Sequence, residues 1–265
     1  MRLAARVEGV GLVGPGLGGW DAARAILAGR EPYVPAPTVI PAPEALPAVE
    51  RRRAGKIVKL ALAAGLAAAS ASGRAARDLA AVFTSSTGDG DNLHAICEAL
   101  ASEDRLISPT RFHNSVHNAP SGYWGIATGA MQPADSIAAF DASFGAGLIE
   151  AMGRVAAEPA SAVVLISYDA PYPEPLHATR PIADGFAVAL VLSAAGSASR
   201  GALIQVEAAG SNCAATALPD AALEQLRRAI PAARSLPLLA LLASDKPGKA
   251  VLEYLDGMAI SIEKA

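Results

Sequence analysis

Residues 138–146 read Ala-Ala-Phe-Asp-Ala-Ser-Phe-Gly-Ala, and the reading of this stretch decides the fold. A short apolar run, Ile137–Phe140, leads into it, and an Ala-rich helical pattern, Ala142–Ala157, follows. Strand, sharp turn and helix N-terminus form an arrangement that presents a nucleophile in acyl-transfer chemistry. The free N–H groups and aligned peptide dipoles of a first helical turn favour an anion, so a cysteine placed there ionises readily. Here the apical residue is Asp141. Acylating a carboxylate gives a labile anhydride, so Asp141 is a poor acyl acceptor. A nucleophile's scaffold without its nucleophile points to a partner protein more than to an enzyme. Aspartate is also an excellent helix N-cap, and that role alone accounts for its presence.

Outward from this turn the chain alternates strands and helices. Strands are expected at 5–13, 79–84, 136–140, 162–168, 185–193 and 202–208, and helices at 20–28, 54–72, 92–101, 119–129, 142–157 and 221–230. Residues 108–118 read as irregular, and residues 251–254 and 258–262, joined through Asp256-Gly257, read as a hairpin. Residues 31–47 carry six prolines, which fix φ and remove N–H donors, so they predict an extended surface loop. This alternation predicts an α/β fold, a sheet flanked by helices. No internal repeat or inter-domain linker interrupts residues 1–265.

The composition narrows the function classes. Of the 265 residues, 52% are apolar, only 5% aromatic and 18% charged, so small aliphatics supply the core. The mean hydropathy of +0.32 fits either a dense core or an apolar surface covered by another subunit. A net charge of −3 with no basic, aromatic-laced stripe argues against nucleic acid. Arg51-Arg52-Arg53 reads as a solvated helix start rather than a phosphate site. Two cysteines, Cys97 and Cys213, make no disulfide framework, and Cys97 reads as a small buried apolar residue. No signal peptide opens the chain and no apolar run is long enough to span a bilayer, which predicts a cytoplasmic protein.

Three motifs invite chemistry. Gly9, Gly11 and Gly14 fit a dinucleotide-binding spacing, but Pro15, Gly16, Gly18 and Gly19 prolong the turn and a proline-rich loop stands where the acidic residue belongs. His113 and His117 have metal-ligand spacing, with Asp89, Asp91 and His94 as conceivable additions; nothing in sequence ties them together, and a loop pinned by Asn114 and Asn118 is the better reading. Neither a metal nor a cofactor is expected. Ser143 sits in a partial serine-hydrolase elbow, yet only His177 follows it as a candidate base.

Taken together these segments resemble the N-terminal half of the β-ketoacyl synthases, which have the thiolase fold. The resemblance rests on Arg6–Trp20, Lys59–Ala69, Asn118–Gly129, the elbow at Phe140–Gly147 and Asp184-Gly185-Phe186. The block Ser108–Trp124 resembles most specifically a subgroup of truncated, synthase-like proteins that occur in aryl polyene type clusters and are regarded as chain-length-factor-like. The resemblance implies a thiolase-like half over 1–195, with a small α/β extension over 196–265. It places Asp141 at the nucleophile position. The His/Lys set for decarboxylation belongs to the family's second half, about where this chain ends, and no histidine follows His177. It therefore implies a non-catalytic partner of a full-length β-ketoacyl-ACP synthase in polyene, polyketide or fatty-acid-like biosynthesis, with the acyl carrier protein engaged indirectly and a homodimer open to the chain when alone. The alternatives are a stand-alone acyl-thioester enzyme using Asp141 and, behind it, a hydrolase using Ser143. In the thiolase fold the strand before the elbow, here 136–140, pairs across the dimer axis. Phe112, His113, Asn114, His117, Asn118, Trp124, Phe140, Ser143 and Phe144 are then candidates for an acyl-tunnel wall.

Overall fold

Strand β1 (Arg2–Val13) is the spine of the sheet, because it pairs with one neighbouring strand over Ala5–Val13 and with another over Arg2–Val7, joining the two halves. The computed structural model describes residues 2–198, 201–210 and 213–265. After β1 come α1 (Trp20–Leu27), α2 (Ala48–Arg53), α3 (Lys56–Ser72), β2 (Ala80–Thr84), α4 (Gly90–Ala101), α5 (Pro109–Asn114) and α6 (Ala119–Thr128). Then follow β3 (Ala134–Ile137), α7 (Ser143–Ala157), β4 (Val163–Asp169), α8 (Leu176–Thr179), β5 (Phe186–Ala194) and β6 (Ala202–Gly210). The chain closes with α9 (Ala221–Ala229), a 3₁₀ turn (Pro231–Ser235), α10 (Leu236–Ala243), β7 (Gly248–Glu253) and β8 (Met258–Lys264).

Among the described residues the strands form one eight-stranded mixed sheet in the order β3-β2-β4-β5-β1-β6-β8-β7. β2 runs parallel to β3 and β4, and every other pairing is antiparallel. β7 and β8 form the expected hairpin and extend the sheet through β6. The sheet ends at β3, whose one partner is β2.

The central strands are buried on both faces, and residue size differs between the faces. Val163, Leu165, Phe186, Val188, Leu190 and Leu192 pack toward α7 together with side chains of α10. Val164, Ile166, Ala187, Ala189 and Val191 pack toward α3. α3 therefore lies very close to the sheet. A Cβ on Gly9 would stand 2.2 Å from the Ala68 carbonyl oxygen, and one on Gly11 would stand 1.9 Å from that of Ala64. The glycines that mimic a dinucleotide motif are thus contact points between strand and helix. On the other face, a Cβ on Gly147 of α7 would meet Thr84 Cγ2 at 2.2 Å.

Several expectations shift. The helix expected over 54–72 is α3 and starts two residues later, because Ala54 is extended and Gly55 caps it without a side-chain bond; the short α2 precedes it. The strand expected over 136–140 is β3, Ala134–Ile137, because Phe140 turns left-handed at φ +51° and ends the extended run. Residues 108–118 are not wholly irregular, since Ser108 caps α5 and accepts from the Arg111 N–H. Cys97 is exposed on α4, whose buried face is narrow.

Replacing Gly11 by alanine would press a side chain into a carbonyl oxygen, which overpacking at a backbone contact makes costly. Gly11→Ala is expected to lower stability by about 3 kcal/mol or more. Gly18→Ala, with nothing within 4 Å of its Cβ, is expected to stay within about 0.5 kcal/mol. Denaturant unfolding of the two variants side by side checks this.

Candidate functional site

The elbow is built as its sequence suggests, but its apex is wired differently. Ala142, not Asp141, is the N-cap of α7, and no side chain caps that helix. The Asp141 carboxylate faces two arginines. Arg180 Nη2 donates to Oδ1 at 2.5 Å, and Arg234 Nη2 donates to Oδ2 at 2.9 Å. Charge-assisted bonds to guanidinium are stronger than a bond to a neutral amide, so these pairs displace the expected cap. Arg180 follows α8 in the proline-rich excursion, and Arg234 lies in the 3₁₀ turn. The network continues from Arg234 to Glu253 on β7 at 3.3 Å, then to buried Arg227 at 3.2 Å, and on to Glu224. Hydrogen bonds from Arg227 hold the Glu224 carboxyl well below the usual range. A cavity of about 210 Å³ beside Asp141 is lined by Arg180, Arg228 and Arg234 among others.

Ser143 is 1% exposed and serves the turn. Its hydroxyl accepts from the Ala139 N–H at 3.0 Å and donates to the Phe140 carbonyl at 2.7 Å. Both partners are backbone, so the hydroxyl pins the elbow. Phe144 is buried in the core under α7, whereas Phe140 is 63% exposed.

The turn after β2 is ordered by a residue that sequence reasoning did not single out. Asp169, at the end of β4, is fully buried. Its Oδ1 accepts from the Ser86 N–H at 2.8 Å, the Ser85 hydroxyl at 3.1 Å and the Thr87 N–H at 3.2 Å. Its Oδ2 accepts from the Ala232 N–H at 2.8 Å. One carboxylate thus joins the turn after β2 to the 3₁₀ turn that carries Arg234. Burial pushes Asp169 up to about 6, against the opposing pull of these donors.

The block Ser108–Trp124 divides into a buried part and a surface part. Asn114 donates to the Arg53 carbonyl at 2.8 Å and accepts from the Tyr123 hydroxyl at 3.1 Å, joining α5 to α2 and α6. Trp124 is buried edge-on to Phe83 at 6.3 Å. His117 Nε2 lies 3.1 Å from the Ser85 carbonyl, and His113 packs edge-on to Tyr123 at 6.2 Å. Phe112, His113, Val116 and Asn118 line an open groove of about 400 Å³. His94 pairs with Glu98. Among the described residues no three His, Cys, Asp or Glu side chains form a group able to hold a metal ion, and no helix is long and apolar enough to cross a membrane. Of the expected residues, then, the structure gathers Phe140, Asp141 and Ser143 at the elbow and Phe112, His113 and Asn118 at the groove. It places Asn114, Trp124 and Phe144 beneath the surface.

Two measurements test this wiring. Asp141→Asn leaves Arg180 and Arg234 facing a neutral group and is expected to cost about 1–2 kcal/mol in these partly exposed pairs, a fall in Tm of about 2–8 °C. The loss should shrink in high salt. For Asp169, the folded-state value of about 6 exceeds the ordinary 3.8, so its stabilising contribution is complete below pH 3.8 and is lost as pH rises through 6. The stability gap between the native chain and Asp169→Asn, measured by urea unfolding, should narrow between pH 4 and pH 7; a constant or widening gap would show that burial does not dominate.

No curated protein matches the sequence. Solved structures do match in fold. One chain is from "Ketosynthase (ApeO) in Complex with its Chain Length Factor (ApeC) from Xenorhabdus doucetiae"; it is 23% identical with a TM-score of 0.74, over 98% of this chain and 99% of that one. A chain of "the ishigamide ketosynthase/chain length factor" is 15% identical with a TM-score of 0.71, over 99% of each chain. A third, from the type II PKS acyl-carrier protein complex AntDE:AntF, is 12% identical with a TM-score of 0.73, over 100% of this chain and 99% of that one. The fold is the thiolase-like α/β fold of these ketosynthase structures. The family model described as "Beta-ketoacyl synthase, N-terminal domain" matches residues 27–246. With the elbow, the flanking helices and the mixed sheet all in place, the chain belongs to the β-ketoacyl synthase N-terminal domain family.

Proposed function

We propose that this protein is a non-catalytic, chain-length-factor-type subunit that pairs with a full-length β-ketoacyl-ACP synthase in polyene, polyketide or fatty-acid-like biosynthesis. The observation that carries the reading is the apex of the elbow, where Asp141 replaces a nucleophile and both its oxygens face arginines. An acyl acceptor at that point needs an attacking atom within reach of the thioester carbonyl. The stand-alone alternatives have no comparable support, since Asp141 is committed to ion pairs and the Ser143 hydroxyl to backbone.

The partner surface in this reading begins at β3. This short strand closes the sheet, and strand edges invite pairing with another chain. Ile126, Met131 and Phe140, all exposed apolar residues, lie in the segments that precede and follow it in the chain. Such exposure in a family of ketosynthase-like proteins favours burial by another subunit. Structural neighbours drawn from ketosynthase/chain length factor complexes add to that support. Phe112 and Phe140 then form part of the acyl-tunnel wall, and Asn114, Trp124 and Phe144 hold that wall from beneath. The carrier protein meets this chain through the ketosynthase, and the complex works in the cytoplasm.

Co-expression with a full-length β-ketoacyl-ACP synthase from the same source, followed by mass measurement and a condensation assay, tests the reading. The expected result is a 1:1 complex that condenses acyl and malonyl thioesters only when both chains are present. An indifferent monomer, or turnover of thioesters by this chain alone, would overturn it.

A further inference from the structure

Phe140 adopts φ +51°, a left-handed backbone that is a genuine outlier for a bulky residue, and it leaves 63% of its surface exposed. Strain of this kind persists only where the surroundings enforce it, and it concentrates at functional positions. The turn's own bonds, from the Ser143 N–H and hydroxyl to the Phe140 carbonyl, hold this backbone, and the exposed ring is covered by Arg180. Its Cζ lies 3.7 Å from the centre of the Phe140 ring. The same guanidinium donates through Nη2 to Asp141 Oδ1 and, at 2.6 Å, to the Ser86 hydroxyl. Its Nε is buried without a hydrogen-bond partner, so the ring face, the Nη2 bonds and a side-chain hydrogen bond with Tyr172 define its position. Ser86 is itself fixed through its N–H to Asp169. A chain of contacts therefore runs from the buried carboxylate through Ser86 and Arg180 to the exposed ring.

We propose that Arg180 is a positioning residue that holds the Phe140 ring as the stop of the acyl tunnel and so sets product length. This rests on the chain-length-factor-type reading above. The guanidinium suits the task because it is flat enough to stack on a ring while its edge pairs with a carboxylate and a hydroxyl. A lysine can keep the charge opposite Asp141 but cannot cover the ring in the same way. Phe140 would meet the growing chain directly, whereas Arg180 acts only through Phe140.

The test uses the complex with the co-expressed ketosynthase, an acyl carrier protein and malonyl thioester, with product chains resolved by mass spectrometry. Phe140→Gly suits the left-handed backbone, so it should fold, and it is expected to lengthen the product by at least one condensation step. Arg180→Lys should move the product ratio the same way by about two- to fivefold, the scale of one lost exposed cation–π contact. In the Phe140→Gly background Arg180→Lys should add nothing. Should Arg180→Lys itself fold poorly, Arg180→Gln is read in the same way. Wild-type products from Arg180→Lys beside a shift in Phe140→Gly, or additive shifts in the double variant, overturn the role of Arg180 and leave the chain-length-factor-type reading standing. A formed complex whose products ignore Phe140→Gly overturns the tunnel wall at this position, and with it the proposal. Failure to form any complex overturns the parent reading instead.

Discussion

The close approach of α3 to β1 is the constraint on which the rest of the sheet depends. Gly9 and Gly11 leave no side chain between strand and helix, so helix backbone rests against strand backbone. The facing residues of β5, Ala187 and Ala189, are small for the same reason. α7 meets the opposite face over larger residues, Leu165, Leu190 and Leu192, with Gly147 as its own point of contact. Packing dispersion between closely spaced small groups replaces the aromatic bulk that this chain lacks. The chain's hydropathy follows in part from this choice, and in part from apolar side chains that the core does not cover.

Most of this architecture was legible because it depends on local pattern. Strand and helix periods, the glycine ending α3 and the turn at Asp256-Gly257 are properties of neighbouring residues. Errors gathered where a local rule met a distant partner. Asp141 has the sequence signature of an N-cap, yet its side chain is taken by Arg180 and Arg234, which lie 39 and 93 residues away. No spacing rule reaches that far. Phe140 looked like the last residue of a strand because a β-favouring side chain says nothing about a left-handed φ. Asp169 escaped notice because its donors come from two other turns, and a Ser-Tyr-Asp strand end carries no signal of their convergence.

The Asp141 network also unites parts of the chain that differ in their origin within the sheet. Arg234 and Glu253 belong to the segment that extends the sheet beyond β1, while Asp141 belongs to the elbow on the other side. Asp169 repeats the connection through a neutral donor, the Ala232 N–H. Two carboxylates thus hold the same 3₁₀ turn, partly exposed Asp141 from the elbow and buried Asp169 from the end of β4. The exposed pairs are weak individually, and their value lies in geometric definition more than in net stability.

The outer strand β3 is only four residues long, and its Asp135 is tied to Arg154 on α7. So short a ladder can form few inter-chain hydrogen bonds, and an ionic side chain along it discourages indiscriminate stacking. Such an edge specifies direction and register but supplies little adhesion. In the proposed complex, selectivity would therefore come from the helices beside the strand, and evolution could change the companion by altering their surfaces while leaving the sheet untouched.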